Sequence, residues 1–374
     1  MNIGIVCYPT FGGSGVVATE LGKALAEKGH NIHFITYKMP FRLDTVLANV
    51  YYHEVRISDY DLFDYAPYEL SLTNKMVDVA LHENLDVIHV HYAIPHASAA
   101  YTAKQILAES GKSLPYITTL HGTDITLIGK DPSYKEVITF AMNQSDKITA
   151  VSESLRKDTL MHFVVKKDID VIPNFICSEN YPETQNERLR SMYAPNGEKI
   201  IMHISNFRKV KRVEDVLKIY LIIRKEINSK LILVGDGPER HKIEEMCRQE
   251  GCEDDVICLG KLTETISILS AADLFILPSE TESFGLAALE AFASGVPVIS
   301  TNTGGLPEVN IHGETGFLSD VGDVDDMAKN ALTILKDEET LKEFKERARK
   351  HSRKFDIDKI LPLYEKLYEE VLGR

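Results

Sequence analysis

The sequence predicts an α/β protein of two doubly wound, Rossmann-like domains facing across a cleft. Three observations lead there. Strand-length apolar runs alternate with helical stretches, and the alternation occurs twice over. At 374 residues the chain is longer than one ordinary core fills. Glycines and polar residues collect just after the apolar runs, where open parallel sheets bind ligands.

The first domain is read over 1–175. Residues 2–8 form an apolar strand, and Gly12-Gly13-Ser14-Gly15 makes a turn ahead of an amphipathic helix at 16–28. These glycines match neither G-x-G-x-x-G nor a Walker A loop, so nicotinamide and ATP readings are weak. Strands follow at 31–37 and 51–57, and Pro40-Phe41-Arg42 ends the first of these. The tyrosine-rich stretch 59–72 reads as an irregular active-site loop before a helix at 73–84. The strand 86–91 carries His89 and His91 on one face, with His96 beyond it. Three close histidines raise a metal site, but no carboxylate or cysteine set accompanies them. The strand 116–120 runs into His121-Gly122-Thr123-Asp124, and strands at 147–151 and 170–173 complete the domain before a joint at Asn174.

The second domain is read over 176–355 and opens on a polar, irregular stretch to 197. Strands at 199–204, 230–234, 256–259, 274–277 and 296–300 alternate with helices near 213–226, 239–250, 264–270 and 284–294. Helices at 324–336 and 339–352 follow. A last helix, 358–371 within a segment 356–374, has an apolar stripe.

The formal net charge of −14 disfavours nucleic acid and a polybasic membrane face. No apolar run has the length of a membrane span, and residues 1–8 read as a strand, not a leader, so neither membrane insertion nor export is expected. Five cysteines with no Cys-x-x-Cys pair suit free thiols in a reducing cytoplasm. A homo-oligomer is left open.

The chemistry concentrates at 278–290. Glu282 and Glu290 are separated by seven residues, one before a helix and one inside it. Ser283 can cap that helix, and the N–H groups of its first turn around Phe284, Gly285 and Leu286 suit a phosphate. Ser205 to Arg212 also links a strand to a helix, with cations Arg208, Lys209, Lys211 and Arg212 able to neutralise a diphosphate or simply to form a solvated face. Of the Asp-x-Asp pairs at 59–61, 168–170, 323–325 and 356–358, none lies in a suitable turn, so no metal and no other cofactor is expected.

Pro278, Ser279, Glu282, Phe284, Gly285 and Glu290, with Gly304-Gly305-Leu306-Pro307-Glu308, resemble the Glu-x7-Glu signature of the retaining family 4 glycosyltransferases, which have the GT-B fold. Cys7-Tyr8-Pro9, Pro40-Phe41-Arg42-Leu43, His91-Tyr92-Ala93-Ile94-Pro95-His96 and Thr118 to Thr126 are similar to the N-acetylglucosaminyl L-malate synthase group of bacillithiol synthesis.

That resemblance implies transfer of N-acetylglucosamine from UDP-GlcNAc to the hydroxyl of L-malate. His121, Arg208, Lys211 and Glu282 would be catalytic. The donor would meet Gly13, Ser14, Asn206, Gly235, Gly260, Lys261, Ser283, Phe284, Gly285, Leu286 and Glu290, with Glu290 on the ribose and Gly260-Lys261 beside the base. Asn206 stands where family members usually have Arg, Arg208 would substitute for it, and the last helix would pack back on the first domain, as in the GT-B fold. The malate carboxylates would meet Arg42, Tyr92 and Thr123. The alternatives are a family member with another acceptor, such as an inositol phosphate or sugar lipid, and a non-catalytic sugar-nucleotide sensor.

Overall fold

The computed structural model describes residues 1–10, 12–43, 47–57 and 66–374. The loop expected at 59–72 lies outside the described residues up to Tyr65, as does the Asp59–Asp61 pair. The chain separates into two compact units, Met1–Asn174 with Ile357–Arg374, and Phe175–Asp356. Phe175 and Asp356 thus belong to the second unit, one residue beyond the boundaries read from the sequence. The reason is local: Ile176 N–H donates to the Phe355 carbonyl at 3.0 Å, and Ser178 bonds the Asp356 carboxylate.

The first unit runs β1 (Asn2–Val6), α1 (Gly13–Glu27), β2 (Asn31–Thr36), β3 (Val50–Glu54), α2 (Tyr68–His82), β4 (Val87–His91), α3 (Ser98–Glu109), β5 (Tyr116–Leu120), α4 (Pro132–Gln144), β6 (Lys147–Ala150), α5 (Glu153–His162) and β7 (Ile169–Val171). Its seven strands are parallel, in the order β3-β2-β1-β4-β5-β6-β7. Strands covered on both faces are mostly apolar; β1 is so from Ile3 to Val6, whereas β4 (Val-Ile-His-Val-His) is buried throughout but carries His89 and His91. Val6, Ile35 and Ile88 pack with Met76 of α2 and Ala103 and Leu107 of α3. Burying each large side chain contributes about 1.5–3 kcal/mol.

The second unit runs α6 (Glu187–Tyr193), β8 (Lys199–Ile204), α7 (Val213–Ile223), β9 (Ser229–Val234), α8 (Arg240–Gln249), β10 (Val256–Gly260), α9 (Ile266–Leu269), β11 (Leu274–Leu277), α10 (Leu286–Ala293), β12 (Val298–Thr301), α11 (Leu306–Val309), β13 (Gly316–Ser319), α12 (Val324–Leu335) and α13 (Glu338–Ser352). Its parallel sheet has the order β10-β9-β8-β11-β12-β13. α6 lies within the stretch expected to be irregular, because Asn186 caps it through Leu189 N–H at 3.1 Å. α14 (Ile357–Leu372) returns to the first unit with Ile360, Leu361, Tyr364, Leu367 and Tyr368 buried on one face. Tyr368 hydroxyl meets His89 Nδ1 at 2.8 Å.

In each sheet the chain starts in the middle, builds to one side and crosses to the other. The reversal falls between β1 and β4 in the first unit and between β8 and β11 in the second. In open parallel sheets such a reversal, at the strands' carboxyl ends, is where ligands bind. No helix among the described residues is long and apolar enough to cross a membrane.

Candidate functional site

In the second unit, the loops after β8 and β11 flank the reversal. They are tied together by Glu280 N–H donating to the Val210 carbonyl at 2.8 Å. Lys211 Nζ reaches Glu282 Oε1 at 2.5 Å, and Ser279 hydroxyl donates to the same oxygen at 2.8 Å. Ser279 is fully buried, and its carbonyl accepts from the Thr301 hydroxyl at 2.7 Å, so β12 holds the loop from beneath. A third loop completes the support. Gly305 N–H donates to the Glu282 carbonyl at 2.8 Å, and a Cβ on Gly304 would lie 1.9 Å from that carbonyl oxygen.

The start of α10 differs from expectation. Ser283 is not its cap: Gly285 holds that position at φ +99, and no side chain caps the helix. Glycine is required because this φ is left-handed. The first turn begins at Leu286, after buried Phe284, without a side-chain cap; Ala288 N–H donates to the Gly285 carbonyl at 3.0 Å, and the turn lies at the positive end of the helix dipole. Glu290 lies one turn further along the helix, part-exposed.

Of the cations, Lys211 meets Glu282, whereas Asn206 and Arg208 are exposed in a tight turn, where Arg208 N–H donates to the Asn206 carbonyl at 2.6 Å. Gly235 follows β9 and donates to the carbonyl of Gly260 at 2.8 Å, which joins these two turns; Lys261 beyond is exposed. The remaining Asp-x-Asp pairs have structural roles in the described residues. Asp323 caps α12, Asp170 pairs with Lys147 at 3.6 Å, and Asp356 bonds Ser178.

His203 was not singled out in the sequence. Buried at the end of β8, it meets the Ile276 carbonyl through Nδ1 at 2.8 Å and Ser205 hydroxyl through Nε2 at 2.7 Å. A carbonyl only accepts, so Nδ1 carries the proton and Nε2 accepts from Ser205. Burial pushes the ring down to about 4, so it stays neutral and bolts β8 to β11 at the reversal. Its signal was a histidine inside an apolar strand.

The first unit repeats the logic between β1 and β4. Gly13 and Ser14 are not in a loop, as the sequence suggested, but in the first turn of α1. The helix can start this early because glycines let it press on the strand end: a Cβ on Gly15 would lie 2.6 Å from the Tyr8 carbonyl oxygen. Ser14 and Tyr92 share a hydrogen bond of 2.6 Å across the reversal. Burial pushes the Tyr92 phenol up to about 12, opposed by hydrogen bonds from Ser14 and Thr123. The structure therefore gathers Ser14, Tyr92 and Thr123. Tyr92 also stands at φ +93, a strained backbone for a non-glycine residue. Arg42, in the turn after β2, has φ +67 and lies 5.8 Å from the Phe41 ring centroid. Nearby on β3, Glu54 pairs with Arg56 at 3.2 Å.

His121 shares a hydrogen bond of 2.8 Å with His91 Nδ1. Burial pushes His121 down to about 3 and His96 to about 4, so these rings act as neutral hydrogen-bonding groups. His89 is satisfied by Tyr368 and, at 2.7 Å, by Thr119, which accounts for it without a metal. Asp124 joins β4 to β5. Its carboxylate accepts from Ala93 N–H at 2.8 Å and Gly122 N–H at 3.1 Å, and burial pushes it up to about 6.

Comparison with known proteins agrees with this arrangement. Residues 11–180 match the family model "Glycosyltransferase Family 4", and residues 185–351 match "Glycosyl transferases group 1". The chain is 50% identical to the N-acetyl-alpha-D-glucosaminyl L-malate synthase of Bacillus anthracis, over 100% of this chain and 97% of the relative. An uncharacterized glycosyltransferase of Methanocaldococcus jannaschii is 27% identical over 98% of this chain and 97% of its own. Among solved structures, Anabaena HepE in complex with UDP and glucose superposes with a TM-score of 0.82 at 20% identity, covering 98% of this chain and 99% of that one. Sucrose-phosphate synthase from Thermosynechococcus elongatus gives 0.80 at 21% identity, covering 100% and 99%. These structural likenesses show the GT-B fold. With half of its residues shared along the full length of a glycosyltransferase, the chain belongs to the family 4 glycosyltransferases and is a sugar-transferring enzyme.

Proposed function

We propose that the chain transfers N-acetylglucosamine from UDP-GlcNAc to the hydroxyl of L-malate, with retention at the anomeric carbon, as the opening step of bacillithiol synthesis in the cytoplasm. The observation that carries this reading is the full-length 50% identity to the Bacillus anthracis synthase. The second unit supplies the donor groups. Lys211 and the uncapped start of α10 face developing phosphate charge, Glu282 takes sugar hydroxyls, and Glu290 takes the ribose. The first unit supplies His121 for the sugar and Arg42, Tyr92 and Thr123 for the malate carboxylates. The five cysteines are free thiols, which fits a reducing compartment.

In the reaction, the bond from the anomeric carbon to the phosphate oxygen breaks as positive charge builds on the sugar ring. The malate hydroxyl oxygen forms the new bond on the same face, and its proton passes to the leaving phosphate oxygen. Lys211 and the α10 N–H groups contribute by being fixed before the charge appears. The reading assigns no metal to the diphosphate, so UDP release should persist in excess EDTA.

The test is incubation with UDP-GlcNAc, with and without L-malate, following UDP release and the product's mass and anomeric configuration. Malate-dependent UDP release with an α-linked adduct is expected. Release that ignores malate, with no adduct formed, would remove malate as the acceptor. In the same assay Arg42→Ala should raise the malate KM while leaving slow hydrolysis of the donor intact.

A further inference from the structure

We propose that His33, His53 and Glu83 form a binding site for a zinc-class divalent cation at the edge of the first sheet, separate from the sugar-transfer residues. His33 lies on β2 and, two residues before Ile35, shares its face, the side on which Ile35 packs with Met76 of α2. His53 lies on the edge strand β3 in register with Ile35, and Glu83 directly follows α2. Three separate elements thus bring one ligand each to a single point.

His33 Nδ1 and His53 Nε2 are 3.0 Å apart, and one ring nitrogen of each histidine and a Glu83 carboxylate oxygen all lie within 4.8 Å of one another. A tetrahedral zinc ion with bonds near 2.0–2.1 Å holds its ligand atoms about 3.4 Å apart. The imidazoles are nearly at that spacing, and the carboxylate closes it by rotating about its own flexible stem. His33 is held in place: it is 2% exposed, and its ring stacks on Tyr51 with centroids 4.8 Å apart. His53 and Glu83 are part-exposed, which leaves a path for the ion and a fourth position for water. The neighbouring cation Lys75 is engaged by Asp78 at 3.1 Å.

Two imidazoles and one carboxylate suit zinc better than magnesium or calcium, which take mostly oxygen. Bound there, the ion ties the edge strand, its inner neighbour and the end of α2 into one piece. An edge strand has a partner on one side only, so such a tie adds most at this place. His33 sits near the amino end of β2, whereas the transfer residues follow the carboxyl ends of the strands.

The test uses the full chain stripped of metal, titrated with Zn2+ and, for spectroscopy, with Co2+. Wild type should take up one tight equivalent, give the visible absorption of tetrahedral cobalt, and gain about 5 °C in Tm at a hundredfold excess of zinc over Kd. His53→Ala and Glu83→Gln, both at part-exposed positions, should bind at least tenfold more weakly and lose the Tm gain. Their sugar-transfer rate at a fixed moderate temperature should match wild type. If wild type and both variants bind zinc alike, or zinc leaves the wild-type Tm unchanged, the contact is only a hydrogen bond between two histidines and the proposal is overturned. Either result leaves the transferase reading untouched.

Discussion

Replacing Lys211 by methionine keeps the stem and removes the charge. Two separate costs are expected, one from the observed ion pair and one from the proposed phosphate role. The ion pair to Glu282 is 2.5 Å long, between side chains 21% and 14% exposed. At an effective dielectric of about 20 the bare attraction is about 6–7 kcal/mol, most of it offset by the desolvation of both groups. What truncation exposes is the stranded carboxylate, left among the described residues with the Ser279 hydroxyl as its side-chain donor at 2.8 Å. We therefore expect a stability loss of about 2–3 kcal/mol, below the full cost of a wholly buried pair. The catalytic cost is independent. Losing one fixed donor to a developing phosphate charge typically lowers kcat by about 100- to 1,000-fold. Denaturant titration measures the first cost and UDP release under saturating donor the second. Glu282→Gln, read by denaturant titration alone because Glu282 is itself assigned to the sugar hydroxyls, tests the first cost, since a neutral amide can keep the Ser279 contact while freeing Lys211. In a double-mutant cycle the two changes should couple by about 1–2 kcal/mol in stability. A Lys211→Met enzyme with kcat within about threefold of wild type and unchanged stability would refute both the pairing and the phosphate role.

Three further outcomes are expected. Glu290→Ala should weaken UDP binding by about 1–3 kcal/mol, the loss of charged hydrogen bonds to the ribose, and unchanged affinity by calorimetry would take Glu290 out of the donor site. Gly304→Ala should cost more than about 2 kcal/mol and weaken UDP binding, because its Cβ would lie 1.9 Å from the Glu282 carbonyl; Gly313→Ala, also at positive φ but with nothing within 4 Å, should cost only about 1 kcal/mol. Burial raises the Asp124 carboxyl from 3.8 to about 6, so the folded chain binds more protons than the unfolded one across that window, and stability falls as pH rises through it. Asp124→Asn cannot titrate, so its stability relative to wild type should improve by about 2 kcal/mol between pH 4 and pH 7. Parallel curves for the two proteins would show that Asp124 is not perturbed.

Much of this protein was legible in its sequence because the signals are local. The alternation of apolar runs and helices marks β1, β4, β8 and β11 and their following helices without reference to the rest of the chain. The Glu282–Glu290 spacing places one carboxylate before α10 and one inside it by helix geometry alone. Polar residues after β4, β5, β8 and β11 mark the carboxyl ends of central strands in the two sheets. Errors at the same level were also local. Ser283 looked like a cap, but Gly285 at φ +99 starts the helix, and glycines read as a loop form the first turn of α1. What only the tertiary structure decided is which distant groups meet. Lys211 finds Glu282 across 71 residues, and Ser14 finds Tyr92 across 78. Both meetings follow from strand order, since β8 lies beside β11 and β1 beside β4. That order is set by which apolar faces pack best once the whole sheet is assembled. It leaves no periodic trace in the strands, so the residues were readable one by one and their partners were not.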